Sequence, residues 1–458
     1  MKSILKRKRF IGAAIISAVL FSFFVFLATD IAKKKEEAKT AYPHIAEITD
    51  DTEDSAIWGI NFPLQYESYL KTVDQVRTKY GGSEAVPRTP SGKDPRSTVA
   101  QSRLEEDPRL KEMWAGYAFS IDFREERGHA HMLLDQIHTQ RQDVVKQPGT
   151  CINCHASTYV PMKKLGNGDI FAGFEKLNQM PYFDAAKHTA HPVSCIDCHT
   201  PVSMKLRVTR PAFIEGIKVA KESQGIKEYD INKMASHQEM RTYVCAQCHV
   251  EYYFKGPEKR LTFPWKNGLK ADQIYSYYKD VGHKDWVHKI TGAPVLKAQH
   301  PEFEMYSQGI HARSGVSCTD CHMPYQRVGA SKFTDHHVQS PMLNIAKACQ
   351  TCHRWPETEM KARVEQIQDR TFEMRDVSLT ALTQFIKELG EKKSEIKDPK
   401  QLDSILEHQR KAQFLLDFVE AENSMGFHAP GESLRLLGLS LDSTLKGQKE
   451  LSKATSKK

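Results

Sequence analysis

The sequence lacks features that define several common protein classes. It has no long apolar run apart from residues 10–28, which excludes a polytopic membrane protein. No alternating apolar and polar pattern of any length is present, so an all-β sandwich or barrel is not expected. Residues 1–35 contain eight Lys or Arg and one Asp, and therefore hold seven of the eight net positive charges. The nearly neutral remainder gives no reason to expect a nucleic-acid partner.

The apolar segment near the N-terminus is flanked by positive charge. Five Lys or Arg residues stand within positions 2–9, an uncharged run extends from Phe10 to Ala28, and three lysines follow at 33–35. A positive head before an apolar segment directs the rest of a chain across a membrane. The length of this run is at the boundary between the apolar part of a long signal peptide and the shortest helix that spans a membrane. No small-x-small cleavage site follows it. We therefore expect an exported protein on the periplasmic side, tethered to the membrane by an uncleaved anchor; a soluble periplasmic protein after signal cleavage is the alternative.

No cysteine is left for a disulfide, because all ten fall in five CxxCH motifs. They are Cys151, Cys154, Cys195, Cys198, Cys245, Cys248, Cys318, Cys321, Cys349 and Cys352. Disulfides within each CxxC would be strained, and zinc sites do not call for a histidine after each second cysteine. Covalent c-type haem does, because the two thioether bonds are followed by imidazole ligation from the next residue. The pattern predicts five haems c.

Histidines outnumber the motifs. The proximal iron ligands would be His155, His199, His249, His322 and His353, out of 20 histidines in the chain. A low-spin electron-transfer haem needs a second axial ligand, usually another histidine, whereas a catalytic haem leaves that position open. The number of histidines does not decide whether every haem is capped, so these residues alone leave open an electron carrier and an enzyme.

The patterning indicates a mainly α fold, with a multihaem cytochrome c body and long C-terminal amphipathic helices. We divide the chain into a signal or anchor segment at 1–35, a polar tether at 36–56, a pentahaem body at 57–356 and a C-terminal helical region at 357–458. In the last region, apolar residues recur at helical spacing from Val364 to Leu389, with Gly390 as the predicted stop. A second such run ends before Gly426. We expect these helices to pack on the haem body or on another subunit.

Six stretches of sequence carry a family resemblance. In chain order they are RGH (127–129), CAQCHVEYYFKG (245–256), KAQHPEFE (297–304), GIHARSGVSCTDCHMP (309–324), TDHH (334–337) and GFHAP (426–430). The ordered set resembles the ammonia-forming cytochrome c nitrite reductases, a pentahaem cytochrome c552 family, from about residue 57 to 440. The resemblance implies reduction of nitrite to ammonium with six electrons and eight protons. It also implies a homodimer joined through C-terminal helices, five haems c and one calcium ion.

By this resemblance, CINCH (151–155) is the motif of the catalytic haem. Arg141 matches the active-site arginine, and Tyr252 and His300 match the other two residues of the distal pocket. Arg141 and a protonated His300 would supply positive hydrogen-bonding groups for an anionic substrate. Tyr252 and His300 would donate protons as N–O bonds break.

The resemblance also assigns the remaining metal ligands. The second axial ligands of haems two to five would be, in that order, His336, His129, His428 and His311. TDHH leaves His336 and His337 as alternatives, and the family pattern favours the first. The calcium ligands would be the Glu251 carboxylate, the main-chain carbonyls of Tyr252 and Lys297, and the Gln299 amide oxygen. These are hard oxygen donors suited to calcium.

One residue departs from the common family pattern. The first motif usually ends in lysine, CxxCK, whereas here it ends in His155. Imidazole and amine differ as iron ligands, so the potential and substrate affinity of this haem would change. Two alternatives therefore accompany nitrite reduction: a related multihaem reductase of hydroxylamine or sulfite, and a non-catalytic pentahaem electron carrier. The electron donor implied by the family is a membrane quinol-oxidising multihaem cytochrome c.

Overall fold

Helices make up 57% of the chain, which confirms the mainly α prediction. The structure is a computed structural model that describes residues 2–37, 44–74, 76–329 and 331–456. Two compact units are separated in it, Met1–Glu47 and Ile48–Lys458. The first contains one helix, Lys2–Glu37, whose segment Phe10–Glu36 has a mean hydropathy of 2.6 and the length to cross a membrane. Its apolar side chains are exposed, as expected for a signal or anchor segment.

The second unit consists mostly of short helices followed by three long ones. Its α-helices are Ser55–Asn61, Pro63–Leu70, Arg103–Glu106, Arg109–Met113, Met132–Ile137, Gln140–Val144, Ile152–His155, Tyr159–Leu165, Ile170–Gln179, Tyr182–Ala186, Cys195–Cys198, Pro211–Ser223, Ile231–Met234, His237–Ala246, Ala271–Asp280, Glu302–Gln308, Ile310–Arg313, Cys318–His322, Ile345–Ala348, Glu357–Lys392, Pro399–Glu420 and Pro430–Thr455. Most of the short helices lie next to a cysteine motif or between two of them.

The strands of the described residues form small antiparallel hairpins. They pair Ala85–Pro87 with Thr98–Ala100, Tyr253–Lys255 with Arg260–Thr262, Trp286–Val287 with Pro294–Val295, and Tyr325–Val328 with Ser331–Thr334. Each strand has two to four residues, too few for an alternating pattern to be visible in the sequence. Two of these hairpins position the site, because Glu251 and Tyr252 precede one strand and Lys297 and His300 follow another.

The predicted tether, 36–56, does not match the observed boundary. Residues 38–43 lie outside the described residues, but the second unit already begins at Ile48. Ile48 is buried in an apolar cluster with Trp58, Val160 and Ile196. Residues 48–56 therefore belong to the haem body, because Ile48 packs in its core. The polar composition of the segment gave no indication of this contact.

The three C-terminal helices pack side by side through small residues. The Ser440 hydroxyl donates to the Ala412 carbonyl at 2.7 Å, and a side chain at Gly447 would collide with Phe385. Gly390 was predicted to stop the first of these helices, but the helix continues to Lys392. A β-carbon at Gly390 would lie 2.4 Å from the Ile290 side chain, so glycine is required there for close packing and does not end the helix.

A buried charge network ties the second long helix to the N-terminal part of the body. The carboxylate of Glu420 accepts from Arg103 at 2.7 Å and from Arg375 at 2.6 Å, and Arg375 also pairs with Asp107. Burial alone would raise the pKa of Glu420, but the two guanidinium groups lower it from 4.5 to about 2. The ion pairs therefore hold the carboxylate in its charged form.

Removal of this charge should destabilise the body. We expect Glu420→Gln to cost about 3–5 kcal/mol at pH 7, because it leaves a buried arginine without its main partner. The folded-state pKa is lowered, so the contribution of the carboxylate is complete above its unfolded-state pKa and is lost as the pH falls toward the folded-state value. Calorimetry of the wild type and the variant should therefore show a difference that shrinks between pH 4.5 and about 2. Glu373→Gln, on an exposed position of the first long helix, is the control; an equal loss there would contradict the assignment.

Candidate haem and substrate site

The cysteine motifs lie on single helical turns. A spacing of three places both cysteines of a CxxC on one side of a helix, where one planar group can reach them. Two of the turns are closed by a capping box: Ser194 N–H donates to Asp197 at 2.9 Å, and Ser317 N–H donates to Asp320 at 2.7 Å. In these two motifs the aspartate between the cysteines caps the helical turn. Asp197 also pairs with the buried Arg210 at 2.7 Å.

The motifs adjoin in space in an order different from the chain order. The third motif, 245–249, is central: Cys248 lies close to Cys154 of the first motif, and Cys245 lies close to Cys318 of the fourth. Cys321 of the fourth motif lies near Cys349 of the fifth. The motifs thus form a row in the order one, three, four and five.

Four motif histidines face a second histidine ring at nearly equal distances. A bond from a metal to an imidazole nitrogen is about 2 Å long, so two rings that bind one iron from opposite sides have centroids roughly 6 to 6.5 Å apart. The observed centroid distances are 6.5 Å for His129 and His249, 6.3 Å for His199 and His336, 6.2 Å for His311 and His353, and 6.3 Å for His322 and His428. Each pair joins a motif histidine with the partner that the resemblance assigned to it. The spacing fits a haem between the rings.

The structure also distinguishes the two histidines of TDHH. His336 is the one opposite His199, and its Nδ1 lies 2.8 Å from the Thr334 carbonyl, which orients the ring. His337 is turned toward the Asp74 carbonyl at 3.4 Å. Burial lowers the pKa of His336 to about 4, so its ring is neutral at pH 7, the form that binds a metal.

The first motif differs from the other four. Among the described residues, His155 has no histidine ring at the paired distance. Burial, followed by the charges of His300 and Arg141, lowers its pKa to about 3. Burial, followed by the charges of Cys151 and Cys154, raises the pKa of Tyr252 well above its usual value. The three residues predicted for a distal pocket therefore lie within electrostatic reach of the same motif.

Arg141 is held from two sides. Its Nη1 donates to the Asp122 carbonyl at 2.9 Å, and its guanidinium lies 4.3 Å from the centroid of the Phe119 ring. The Nζ of Lys297 is 5.2 Å from the centroid of the same ring. Phe119 thus lies beside both cations, and its π face can stabilise each of them.

The segment that carries His300 is locked to the second long helix. The Lys297 ammonium and the Asp417 carboxylate form a fully buried ion pair at 2.9 Å. Asp417 also accepts from the Ala298 N–H at 3.0 Å. Burial lowers the pKa of His300 to about 4, so the ring is neutral at pH 7 before a substrate binds. The protonated His300 predicted from the sequence is therefore not the resting form, because the side chain has lost its contact with water and lies near other positive groups.

A cluster of oxygen atoms lies beside this pocket. Both oxygens of the buried Glu251 carboxylate are used: one accepts from Gln299 N–H at 2.6 Å and the other from the Tyr278 hydroxyl at 2.9 Å. The Gln299 Nε2 donates to the Lys297 carbonyl at 3.3 Å, so the amide oxygen lies at the same end of the side chain. Burial raises the pKa of Glu251 well above its usual value, and the charges of neighbouring carboxylates add to the rise. Such a carboxylate needs a cation to stay charged, and this donor set fits calcium.

The described residues contain no group of three or more His, Cys, Asp or Glu side chains placed to hold a metal. That result is compatible with the oxygen cluster, because only one of its donors is a carboxylate and two are main-chain carbonyls. The Tyr252 carbonyl, next in the chain to Glu251, stays a predicted ligand, and a bound ion there would fix the backbone of a pocket residue directly.

Comparison with known proteins agrees with this geometry. The family model for cytochrome c552 matches residues 54–458. The chain belongs to the cytochrome c552 family. It is 38% identical over 412 residues to a cytochrome c-552 of Parabacteroides distasonis, covering 87% of this chain and 76% of that protein. It is 34% identical over 459 residues to a cytochrome c-552 of Porphyromonas gingivalis, covering 98% and 86%. A solved cytochrome c nitrite reductase of Desulfovibrio desulfuricans, described with two calcium sites in its catalytic subunit, is 29% identical, with a TM-score of 0.76 and coverage of 90% of this chain and 88% of that one.

In this cytochrome c552, two carboxylates contact axial histidines and escaped the sequence analysis. The Glu302 carboxylate is 3.9 Å from Nδ1 of His249, and Glu422 is 2.5 Å from Nδ1 of His428. Burial alone would lower the pKa of His249, but Glu302 raises it to about 9. Neither contact could be predicted from the sequence, because one depends on a turn and the other on how two segments pack. The segment AENSMGFH carries the second pair, six residues apart.

The oxygen cluster predicts a calcium requirement that depends on one carboxylate. We expect holoprotein purified with calcium to contain the ion, and Glu251→Gln to lose it, because the substitution removes the single charged donor. Elemental analysis after dialysis measures this directly. Glu258→Gln, at an exposed position of the adjacent hairpin, is the matched control and should keep the ion. Active protein without calcium would rule out the site.

Proposed function

We propose that this cytochrome c552 reduces nitrite to ammonium at the haem attached to Cys151 and Cys154. The observation that carries the proposal is the asymmetry among the motif histidines: four have a partner ring, whereas His155 has Arg141 and His300 nearby. A haem held between two histidines would be closed to a substrate, whereas a haem held by His155 alone would remain open to one. The family match and the 29% identical nitrite reductase support the same reaction.

The pocket residues have separable roles. Bound haem supplies the iron site for the substrate nitrogen and passes on the electrons. Arg141 binds the anionic substrate, because a permanently charged guanidinium held by the Asp122 carbonyl and the Phe119 ring offers its free donors in a fixed direction. The fixed donors lose little freedom on binding, which favours the anion over water.

His300 and Tyr252 move protons. The neutral His300 ring has a pKa of about 4 in the free site, and a bound anion raises it, so the ring takes up a proton as the substrate arrives. Tyr252 stays protonated at neutral pH, because burial raises its pKa. Both groups can then donate to the substrate oxygens as each N–O bond breaks and the oxygen leaves as water.

The other four haems would form the electron relay. The proximity of the cysteine motifs supports a path from the fifth motif through the fourth and third to the first, with Cys245 close to Cys318. Paired histidines keep each haem low-spin in both oxidation states, which lowers the reorganisation on electron transfer. The donor we propose is a membrane quinol-oxidising multihaem cytochrome c on the periplasmic side, where the N-terminal helix would anchor this chain or act as its signal.

We also propose that residues 357–458 form the contact in a homodimer. Phe372, Val377, Leu434 and Leu445 on the long helices are 38–54% exposed although they are large and apolar. Pairing with a second copy would bury them. Size-exclusion chromatography with light scattering would report the mass, and a monomer at micromolar concentration would contradict this part.

Loss of His300 tests the proton-transfer role. We expect His300→Ala to lower nitrite turnover by at least about 100-fold, the range of a lost general acid, while all five haems stay attached. Ammonium production from reduced protein measures turnover, and a pyridine haemochrome assay counts the haems. His237→Ala, at an exposed histidine, is the control and should match the wild type. Near-normal ammonium production in His300→Ala would remove this residue from the mechanism.

A second variant distinguishes substrates. Arg141→Gln should lower kcat/KM for nitrite by about tenfold or more, because a charge-assisted contact of about 1.5–3 kcal/mol is lost. Hydroxylamine is uncharged at neutral pH and should lose less. Turnover of nitrite, hydroxylamine and sulfite by the wild type would identify the main substrate, and a clear preference for either of the last two would replace nitrite.

The electron-carrier alternative has a spectroscopic test. Nitrite reduction requires one high-spin, ligand-accessible haem beside four low-spin ones, whereas a carrier requires five low-spin haems. EPR of the oxidised holoprotein with and without cyanide separates the two. A spectrum without a ligand-accessible haem would favour the carrier and contradict our proposal.

A further inference from the structure

The turn between the last two long helices holds a buried carboxylate on an axial histidine. Glu422 is 2% exposed, and its Oε1 lies 2.5 Å from Nδ1 of His428. Its Oε2 accepts from the Ser424 hydroxyl at 2.7 Å, and that hydroxyl accepts from the His428 N–H at 3.0 Å. The contacts close a ring that holds the carboxylate in line with the imidazole. No Lys or Arg pairs with Glu422 among the described residues.

The turn is itself fixed by the first long helix. Gln368 donates to the Ser424 carbonyl at 3.0 Å. Gly426 has a φ of +79°, and a β-carbon there would lie 2.4 Å from the Thr371 hydroxyl. A glycine is therefore required at this position both for the backbone and for the close approach. The carboxylate cannot easily turn away from the histidine.

The axial histidines of the other pairs have weaker partners. For the second haem, Nδ1 of His199 faces the Met204 carbonyl at 2.9 Å and Nδ1 of His336 faces the Thr334 carbonyl at 2.8 Å. The Glu302 carboxylate is 3.9 Å from His249, beyond hydrogen-bond range. Among the described residues, Glu422 is thus the carboxylate at hydrogen-bond distance from an axial histidine.

We infer that Glu422 makes the haem attached to Cys318 and Cys321 the most negative in midpoint potential of the four with paired histidines. A carboxylate that accepts the Nδ1–H gives the imidazole more anionic character, and the stronger ligand stabilises ferric over ferrous iron. The uncompensated negative charge, buried at low dielectric, acts in the same direction. The inference depends on ligation of this haem by His322 and His428 and is independent of the substrate.

The position of this haem gives the effect a consequence. Cys318 lies close to Cys245 of the third motif, and Cys321 lies near Cys349 of the fifth. The haem is therefore in the middle of the row, between neighbours of higher potential. It would be reduced last among the paired haems, and an electron that reaches it would move on to either neighbour.

Redox titration of the holoprotein by EPR and optical spectroscopy tests the inference. Glutamine in Glu422→Gln keeps an acceptor oxygen for the His428 ring and removes the charge, so the ring orientation should survive. We expect one low-spin signal, the most negative in the wild type, to move to a more positive potential. That signal is assigned by its loss in His428→Ala. Glu432→Gln changes the net charge equally on a carboxylate paired with Arg435 and is the control.

Two results would overturn the inference: no shift beyond that of Glu432→Gln, or an equal shift of all haems. A purely structural role of Glu422 predicts the first of these, because the amide still holds the ring. If Glu422→Gln fails to retain all haems, Ser424→Ala provides the test, since it keeps the carboxylate but loosens its alignment. It should shift the same signal in the same direction by less, and an unchanged potential there would equally overturn the inference. The experiment measures midpoint potentials and not nitrite turnover. A negative result for nitrite reduction would therefore leave this test of Glu422 valid.

Discussion

Two imidazole nitrogens on opposite sides of one iron require their rings to lie roughly 6 to 6.5 Å apart, and this constraint is met four times in the body. His199 and His336 are separated by more than a hundred residues, and so are His129 and His249. Helices and loops between the motifs are short, because each segment only needs to bring one ring to one iron. Among the described residues of this unit, long amphipathic helices are confined to the C-terminal region.

The helix Pro399–Glu420 supports this arrangement with buried carboxylates. Asp417 holds Lys297 and the backbone that leads to His300, and Glu420 holds two arginines from other parts of the chain. Buried charges of this kind cost desolvation energy and contribute little net stability by comparison with apolar packing. Their value is positional: Asp417 fixes the irregular segment around Lys297, and Glu420 joins the helices Arg103–Glu106 and Glu357–Lys392. Glu422 lies in the turn that follows this helix. Glu420, which supports the fold, and Glu422, which contacts His428, are therefore close in sequence.

The pocket beside the first motif combines groups with opposite requirements. The Arg141 guanidinium is permanently charged and would attract an anion, whereas burial lowers the pKa of His300 to about 4 in the free site. A site that held two fixed positive charges in the absence of substrate would be expensive to desolvate. In the proposed mechanism, proton uptake with substrate binding would avoid that cost and would deliver the proton to the N–O bond that breaks.

The sequence alone was sufficient for features that depend on residue type and local spacing. Helical periodicity predicted the long C-terminal helices, which the structure confirms, and the CxxCH motifs predicted haem c, which the family match supports. The number of haems, five, stays a prediction. The family resemblance supplied the pairing of histidines and the identity of Arg141, Tyr252 and His300. Gly390 shows the limit of local rules, since its role is a contact with Ile290 and not a helix stop.

Tertiary structure decided what depends on distance and burial. It separated His336 from His337, moved the start of the body to Ile48, and made His300 neutral at rest. It also placed Glu422 on His428, a contact that no spacing predicts, because a carboxylate is a surface group by composition and becomes a ligand partner only when a turn buries it. Residue type determines which chemistry is available to this chain, whereas the low dielectric and fixed geometry of the folded interior determine which protonation state and which partner each group has.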